Sequence, residues 1–288
     1  MIYLLLAIVG SGVIPVIFRL FENWRINLFW AIPVNYVVCV LIGRLLGPES
    51  QSITGLASQP WIFFAVVQGV LLAVNFFLLA HTAQRVGVAV AALASRLSVA
   101  IPSVLAFVLY GDSLTAIKLG GLVTALIALY LCTAPEKGSS VITTGLLQAM
   151  PILVFATFGV YFSILKYLQT FYLEPSSYHS YVMSGFVFAF LSSVAIGSAK
   201  GVFSFSDLRP KHVGAGIFLG VINYAAVYAL LQVLALKGWQ SSQLYPIYSV
   251  GVVGVSTVLA LICFKEKLSR RKTIGLTVGV LAVALLNR

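Results

Sequence analysis

Gly69-Val70, Gly87, Leu93, Ser98, Gly111-Asp112-Ser113-Leu114 and Lys118-Leu119-Gly120-Gly121-Leu122 recur, in the same order, as Gly220-Val221, Gly238, Leu244, Ser249, Lys265-Glu266-Lys267-Leu268 and Lys272-Thr273-Ile274-Gly275-Leu276. The two sets lie about 151 residues apart, widening to about 154 after a short insertion. Both stretches are mostly apolar. Duplicated blocks of membrane spans underlie many secondary transporters, so this repeat is the first constraint on fold and on function.

Composition sets the solvent. The chain has 288 residues, 60% of them hydrophobic and 9% charged. Soluble domains carry about 25% charged residues, so lipid must face much of this surface. The formal net charge is +11, yet the basic residues are scattered over short connections, with no arm or groove-sized cluster. The pattern suits a lipid surface and excludes nucleic acid as a partner. Cys39, Cys132 and Cys263 each sit alone in an apolar run, which reads as packing rather than a disulfide frame or a metal site. The start, Met1-Ile2-Tyr3-Leu4, has no basic n-region and no small-residue cleavage site before Phe21, so it reads as a retained span.

A span needs about 20 mostly apolar residues. Ten candidates follow: 2–18, 26–46, 61–82, 87–109, 114–133, 142–166, 177–198, 212–235, 240–263 and 271–287. The turn-forming run Ala134-Pro135-Glu136-Lys137-Gly138-Ser139-Ser140 separates two halves, residues 1–137 and 138–288, of five spans each. An odd number of spans per half makes the second half enter the bilayer from the opposite side. The expected fold is therefore an all-α polytopic membrane protein, ten transmembrane helices arranged as two inverted five-helix repeats. Of the 18 basic residues, twelve fall in odd-numbered connections, which by the positive-inside rule puts those in the cytoplasm and both termini outside.

Two loop signatures carry a family resemblance. Leu97-Ser98-Val99-Ala100-Ile101-Pro102 followed by Tyr110-Gly111-Asp112-Ser113-Leu114, and Phe264-Lys265-Glu266-Lys267-Leu268-Ser269 followed by Gly275-Leu276-Thr277-Val278-Gly279-Val280, resemble the drug/metabolite transporter superfamily, EamA type, over the whole chain. Asp112 stands where that family usually has Glu, and Pro246, nearer the start of its span, replaces a counterpart of Pro102. The resemblance implies termini inside, against the charge bias, and leaves orientation open.

Arg96, in Ala94-Ser95-Arg96-Leu97-Ser98, is the one obligate charge well inside an expected span. A charge at the bilayer centre costs about 2.5–3.5 kcal/mol on insertion scales, so it should face the bundle interior. It reads as an anchor for a substrate carboxylate or phosphate, as a gating residue, or as a structural contact with helix carbonyls. The repeat sets Arg96 against Tyr245-Pro246-Ile247-Tyr248-Ser249, where Tyr245 and Tyr248 share a face and could wall a cavity. Further inward-facing candidates are Gly220, Tyr224, Tyr228 and Gln232 at four-residue spacing with Asn223 beside them, and Gln68, Asn75 and Thr82 at seven-residue spacing. Asn35-Tyr36 and Tyr178, His179 and Tyr181 read similarly. Each of these groups could instead bond a neighbouring helix. Pro15, Pro102, Pro151 and Pro246 are expected hinges.

All seven acids, Glu22, Glu49, Asp112, Glu136, Glu174, Asp207 and Glu266, fall in connections or at span ends. Proton-coupled exporters keep a carboxylate deep in the membrane, so a facilitator or exchanger of a neutral, zwitterionic or anionic solute is favoured. Asp112 and Glu266 read as structural acids at helix entries. The expected function is a secondary carrier in the inner (plasma) membrane, a monomer or weak homodimer without cofactor, with a central site between the halves. A lipid-linked precursor flippase on the same fold is the alternative. A membrane-embedded enzyme is less favoured, because no Asp-x-x-x-Asp or His-Glu-x-x-His set occurs. No Gly-x-x-x-x-Gly-Lys-Ser/Thr loop is present for ATP drive.

Overall fold

The computed structural model describes residues 2–46, 58–102, 104–105, 116–133, 145–173, 177–202, 207–235, 241–266 and 268–286. Among these residues lie ten α-helices and no strand: α1 (Ile2–Asn23), α2 (Leu28–Leu46), α3 (Ile62–Arg85), α4 (Val88–Leu97), α5 (Ala116–Thr133), α6 (Gly145–Phe171), α7 (Tyr178–Ala199), α8 (Pro210–Ala235), α9 (Ser241–Phe264) and α10 (Arg270–Leu286). Each expected span contains one helix. Seven helices, α1, α2, α3, α6, α7, α8 and α9, are long and apolar enough to cross a bilayer. The chain is an all-α multi-pass membrane protein.

Helix ends follow local chemistry. Asn27 Oδ1 accepts the Phe29 N–H at 2.9 Å and caps the start of α2. At the end of α7, Gly201 takes φ 63°, and the Val202 N–H reaches the Gly197 carbonyl at 3.2 Å. That closure needs a left-handed residue, which glycine adopts without a Cβ penalty.

The helices group into two compact units, each drawn from both halves of the sequence. The first comprises Met1–Leu20, Leu78–Val160 and Ala226–Arg288; the second comprises Phe21–Phe77 and Tyr161–Ala225. The division falls at matching places in helices related by the repeat: within α1 and α6, and within α3 and α8.

Inside each unit, repeat-related helices pack antiparallel. In the first, Gly275 near the start of α10 meets the end of α5, where a Cβ would lie 2.7 Å from Cys132 Sγ. In the second, Gly43 near the end of α2 meets Met183 near the start of α7. The Lys200 ammonium after α7 lies 5.8 Å from the centroid of the Phe29 ring at the start of α2. The two glycines that open the quoted stretches also make corresponding contacts. Gly69 of α3 abuts Phe188 of α7, and Gly220 of α8 abuts Val38 of α2, where a Cβ would lie 2.7 Å from the Val38 Cβ. Only a missing side chain lets backbones approach so closely.

One span departs from expectation. The run 87–109 was read as continuous, but α4 ends at Leu97, a turn occupies 98–99, and helix resumes at Ala100. Pro102 explains the break: it has no N–H for the Ser98 carbonyl four residues back, and its ring crowds that carbonyl. The Ile101 N–H takes it instead, at 3.1 Å. Ser95 and Ser98 hydroxyls donate to the Ala92 and Ser95 carbonyls at 2.8 and 2.6 Å, a local bonding pattern that bends helices. Arg96 therefore sits in the last turn of a broken helix rather than mid-helix.

Candidate functional site

In the first unit, three helices converge on Arg96. Its guanidinium carbon lies 5.1 Å from the centroid of the Tyr248 ring on α9, a cation–π arrangement. The Tyr248 hydroxyl bonds Ser11 Oγ on α1 at 2.7 Å. Arg96 Nε is buried and has no hydrogen-bond partner among the described residues. A buried, unsatisfied donor on a fixed cation costs free energy that a bound acceptor would recover. Small residues let α1 and α9 approach here: a Cβ at Gly12 would stand 2.8 Å from Val255 Cγ1, and one at Gly251 2.8 Å from Ile8 Cδ1. Ser256 Oγ donates to the Gly12 carbonyl at 2.8 Å. Pro15 is buried one turn beyond Ser11 and offers its carbonyl no N–H. Proline thus loosens the backbone near two of the three cluster members, at Ser11 and next to Arg96.

In the second unit most of the expected polar residues pair off. Asn223 Nδ2 donates to Asn35 Oδ1 at 3.1 Å, joining α8 to α2, with Cys39 Sγ alongside. Tyr36 donates its hydroxyl to the Leu72 carbonyl at 3.0 Å and packs on Phe76 and Phe186. Gln68 Nε2 donates to the Tyr161 carbonyl at 2.8 Å, and its Oε1 accepts the Tyr181 hydroxyl. Thr82, further along α3 and in the first unit, donates to its own helix at the Leu78 carbonyl, 2.7 Å away. Asn75 differs: it is fully buried, and neither amide atom has a partner among the described residues. The face expected from seven-residue spacing is buried at all three positions, and only its middle member is unsatisfied.

The remaining expected residues fall as follows. Tyr224 is buried, but Tyr228 is 38% exposed. A four-residue step turns a helix by about 40° beyond a full revolution, so the stripe winds off the buried face. His179 Nε2 lies 3.1 Å from the Gly43 carbonyl and joins α7 to α2. Cys263 is exposed, unlike buried Cys39 and Cys132. Glu266 does sit at a helix entry, but not that of the following α10: its Oε1 accepts the Val88 N–H of α4 at 2.9 Å. The side chains of Tyr178, Tyr245 and Pro246, and all of Asp112, lie outside the described residues. Sequence reasoning missed Ser11; its only signal was the small-residue run Gly10-Ser11-Gly12.

Residues 143–288, just over half the chain and containing α6 through α10, match the model of the EamA-like transporter family. The chain is similar to a protein of Haemophilus influenzae (strain ATCC 51907 / DSM 11121 / KW20 / Rd), described as "Uncharacterized protein": they are 24% identical over 293 residues, covering 97% of this chain and 95% of the relative. A solved crystal structure with 16% sequence identity aligns with 99% of this chain and 94% of its own at a TM-score of 0.56, a likeness of fold alone. The repeated apolar helices, the broken α4 and the family match lead to one assignment: the chain belongs to the EamA-like transporter family, within the drug/metabolite transporter superfamily.

Proposed function

We propose that this protein is a secondary carrier of a small polar metabolite, neutral, zwitterionic or anionic and of amino-acid or organic-acid type. It crosses the inner (plasma) membrane, works by alternating access as a facilitator or exchanger, and acts as a monomer or weak homodimer. One observation carries the reading: a guanidinium held over Tyr248 at a broken helix, with its buried Nε unpartnered. In lipid-embedded protein such a cation is costly unless it has a task. Its natural ligand is a carboxylate or phosphate, which guanidinium binds through paired N–H groups. Tyr248 walls the cation. Within the second unit, Asn75 is a separate candidate for substrate contact, together with Asn35, Tyr36, Asn223 and Tyr224. Pro15, Pro102 and Pro246 serve as hinges.

The antiparallel packing of α5 with α10 and of α2 with α7, and the matched contacts of Gly69 and Gly220, support two inverted five-helix repeats over residues 1–137 and 138–288. Such repeats exchange conformations to expose a site alternately. In the sequence all seven acids fall between or at the ends of the apolar runs, which supports transport without carboxylate-borne proton coupling. Uptake of labelled amino acids and organic acids into proteoliposomes, with and without a proton gradient, tests the reading. Gradient-independent uptake or exchange that Arg96→Gln abolishes, with folded yield intact, is expected. Strict gradient dependence, or an anionic substrate carried unchanged by Arg96→Gln, would overturn it.

A further inference from the structure

At one end of the first unit, α1 and α3 finish while α4 and α10 begin. Their ends enclose a cleft of about 140 Å³ lined by Arg19, Arg85, Lys272, Gln84 and Glu266 among others. Arg19 Nη1 donates to the Gln84 carbonyl, and Gln84 Nε2 donates to the Phe18 carbonyl at 2.8 Å, which fixes the α1–α3 wall. Glu266, the one acid in the lining, is engaged by the Val88 N–H. Three cations therefore face one acid in a polar recess where helices leave the bilayer.

The recess continues onto a lipid-facing surface. The Lys272 carbonyl lies 3.9 Å from Cys132 Sγ, so the rim of the cleft abuts the end of α5. Next to Lys272, the Arg271 guanidinium carbon stands 5.1 Å from the centroid of the Tyr130 ring on α5, and that ring is 65% exposed. Below Tyr130 on α5, Ile127, Leu126 and Val123 are exposed in turn. A cation over an interfacial tyrosine, followed by an apolar helix face, is the arrangement expected at headgroup depth.

We propose that this cleft is a specific headgroup site for an anionic phospholipid, its phosphate held by Arg19, Arg85 and Lys272 and its acyl chain laid along α5. Basic recesses between helices at a membrane surface favour such lipids. The phosphodiester chemistry is shared with free phosphate; the apolar α5 face adjoining the recess selects the lipid.

The test uses the full chain in detergent and in nanodiscs. Native mass spectrometry would count phosphatidylglycerol and phosphatidylcholine retained by the wild type, by Arg85→Gln/Lys272→Gln, and by the charge-preserving Arg85→Lys/Lys272→Arg. Wild type should prefer phosphatidylglycerol. Each neutralised cation should weaken that preference about fivefold, so the glutamine pair should lower it roughly 25-fold, while the charge-preserving pair retains most of it. Equal retention of the two lipids by wild type, or a preference that survives the glutamine pair, overturns the site. A thermal shift with millimolar inorganic phosphate but no phosphatidylglycerol preference would assign the recess to a free anion and also overturn the lipid assignment.

Discussion

The Arg96 guanidinium carbon lies 5.1 Å from the centroid of the Tyr248 ring, and the Tyr248 hydroxyl is held by Ser11 Oγ at 2.7 Å. The ring thus has a fixed face on which the cation rests. A desolvated cation–π pair contributes about 2 kcal/mol. A double-mutant cycle of Arg96→Gln and Tyr248→Leu, read by denaturant titration in detergent, should give a coupling of about 1–2 kcal/mol. Tyr248→Phe keeps the ring face and should retain most of that coupling while freeing Ser11. Additive single mutants would show that the two side chains are neighbours without interaction.

Asn75 presents the opposite case, a buried amide with no partner at either atom. Leaving a buried polar group unsatisfied costs about 1–3 kcal/mol. Replacing it with Leu, which keeps the branch at Cγ without the polar atoms, should raise thermal stability while removing transport. A stability gain without loss of uptake would exclude Asn75 from substrate contact. A loss of stability would mean that the amide is already satisfied.

The close-packed glycines should respond as a matched pair. Gly69→Val and Gly220→Val drive a side chain into Phe188 and into Val38, so each should destabilise by about 1–3 kcal/mol. Gly185, Gly214 and Gly254 have no neighbour within 4 Å of a built Cβ. Alanine at these helical positions should be neutral or stabilising by about 0.5–1 kcal/mol. Melting curves of the five variants in one detergent decide the matter, and equal effects in both groups would contradict the packing.

Gly87 has φ 134° and ψ 151°, a conformation essentially confined to glycine. A Cβ there would also stand 3.3 Å from Glu266 Oε2. Gly87→Ala should cost about 1–3 kcal/mol, whereas Glu266→Gln, which keeps an acceptor for Val88 but removes the charge at the helix start, should cost only about 0.3–1 kcal/mol. If the glutamine variant proved the more damaging in thermal unfolding, the carboxylate's charge would matter more than the backbone geometry it accompanies.

Much of the fold was legible because lipid imposes a simple rule: backbone polar groups must be satisfied within helices, so apolar runs of sufficient length become spans. All ten expected spans contain a helix. Aligning the two quoted stretches also brought Arg96 to Tyr248, because repeat-related helices pack against each other. Legibility stopped where partners lie far apart in sequence. Ser11 is an ordinary serine until α1 and α9 close on glycines. Glu266 reads as an acid at a helix entry, but the helix whose entry it serves begins at Val88, 178 residues away. Tyr228 shares a spacing with Tyr224, but helical drift carries it off the buried face.

By itself the sequence determined the class, the helix count, the internal repeat and the one cation worth following, since hydropathy, charge placement and self-similarity are local or periodic properties. The tertiary structure decided which of the buried polar residues are satisfied. Asn35 finds Asn223 and Gln68 finds Tyr181, while Asn75 and the Arg96 Nε find none among the described residues. Hydrogen bonds require atoms within about 3 Å, a condition set only when helices distant in the chain are packed together.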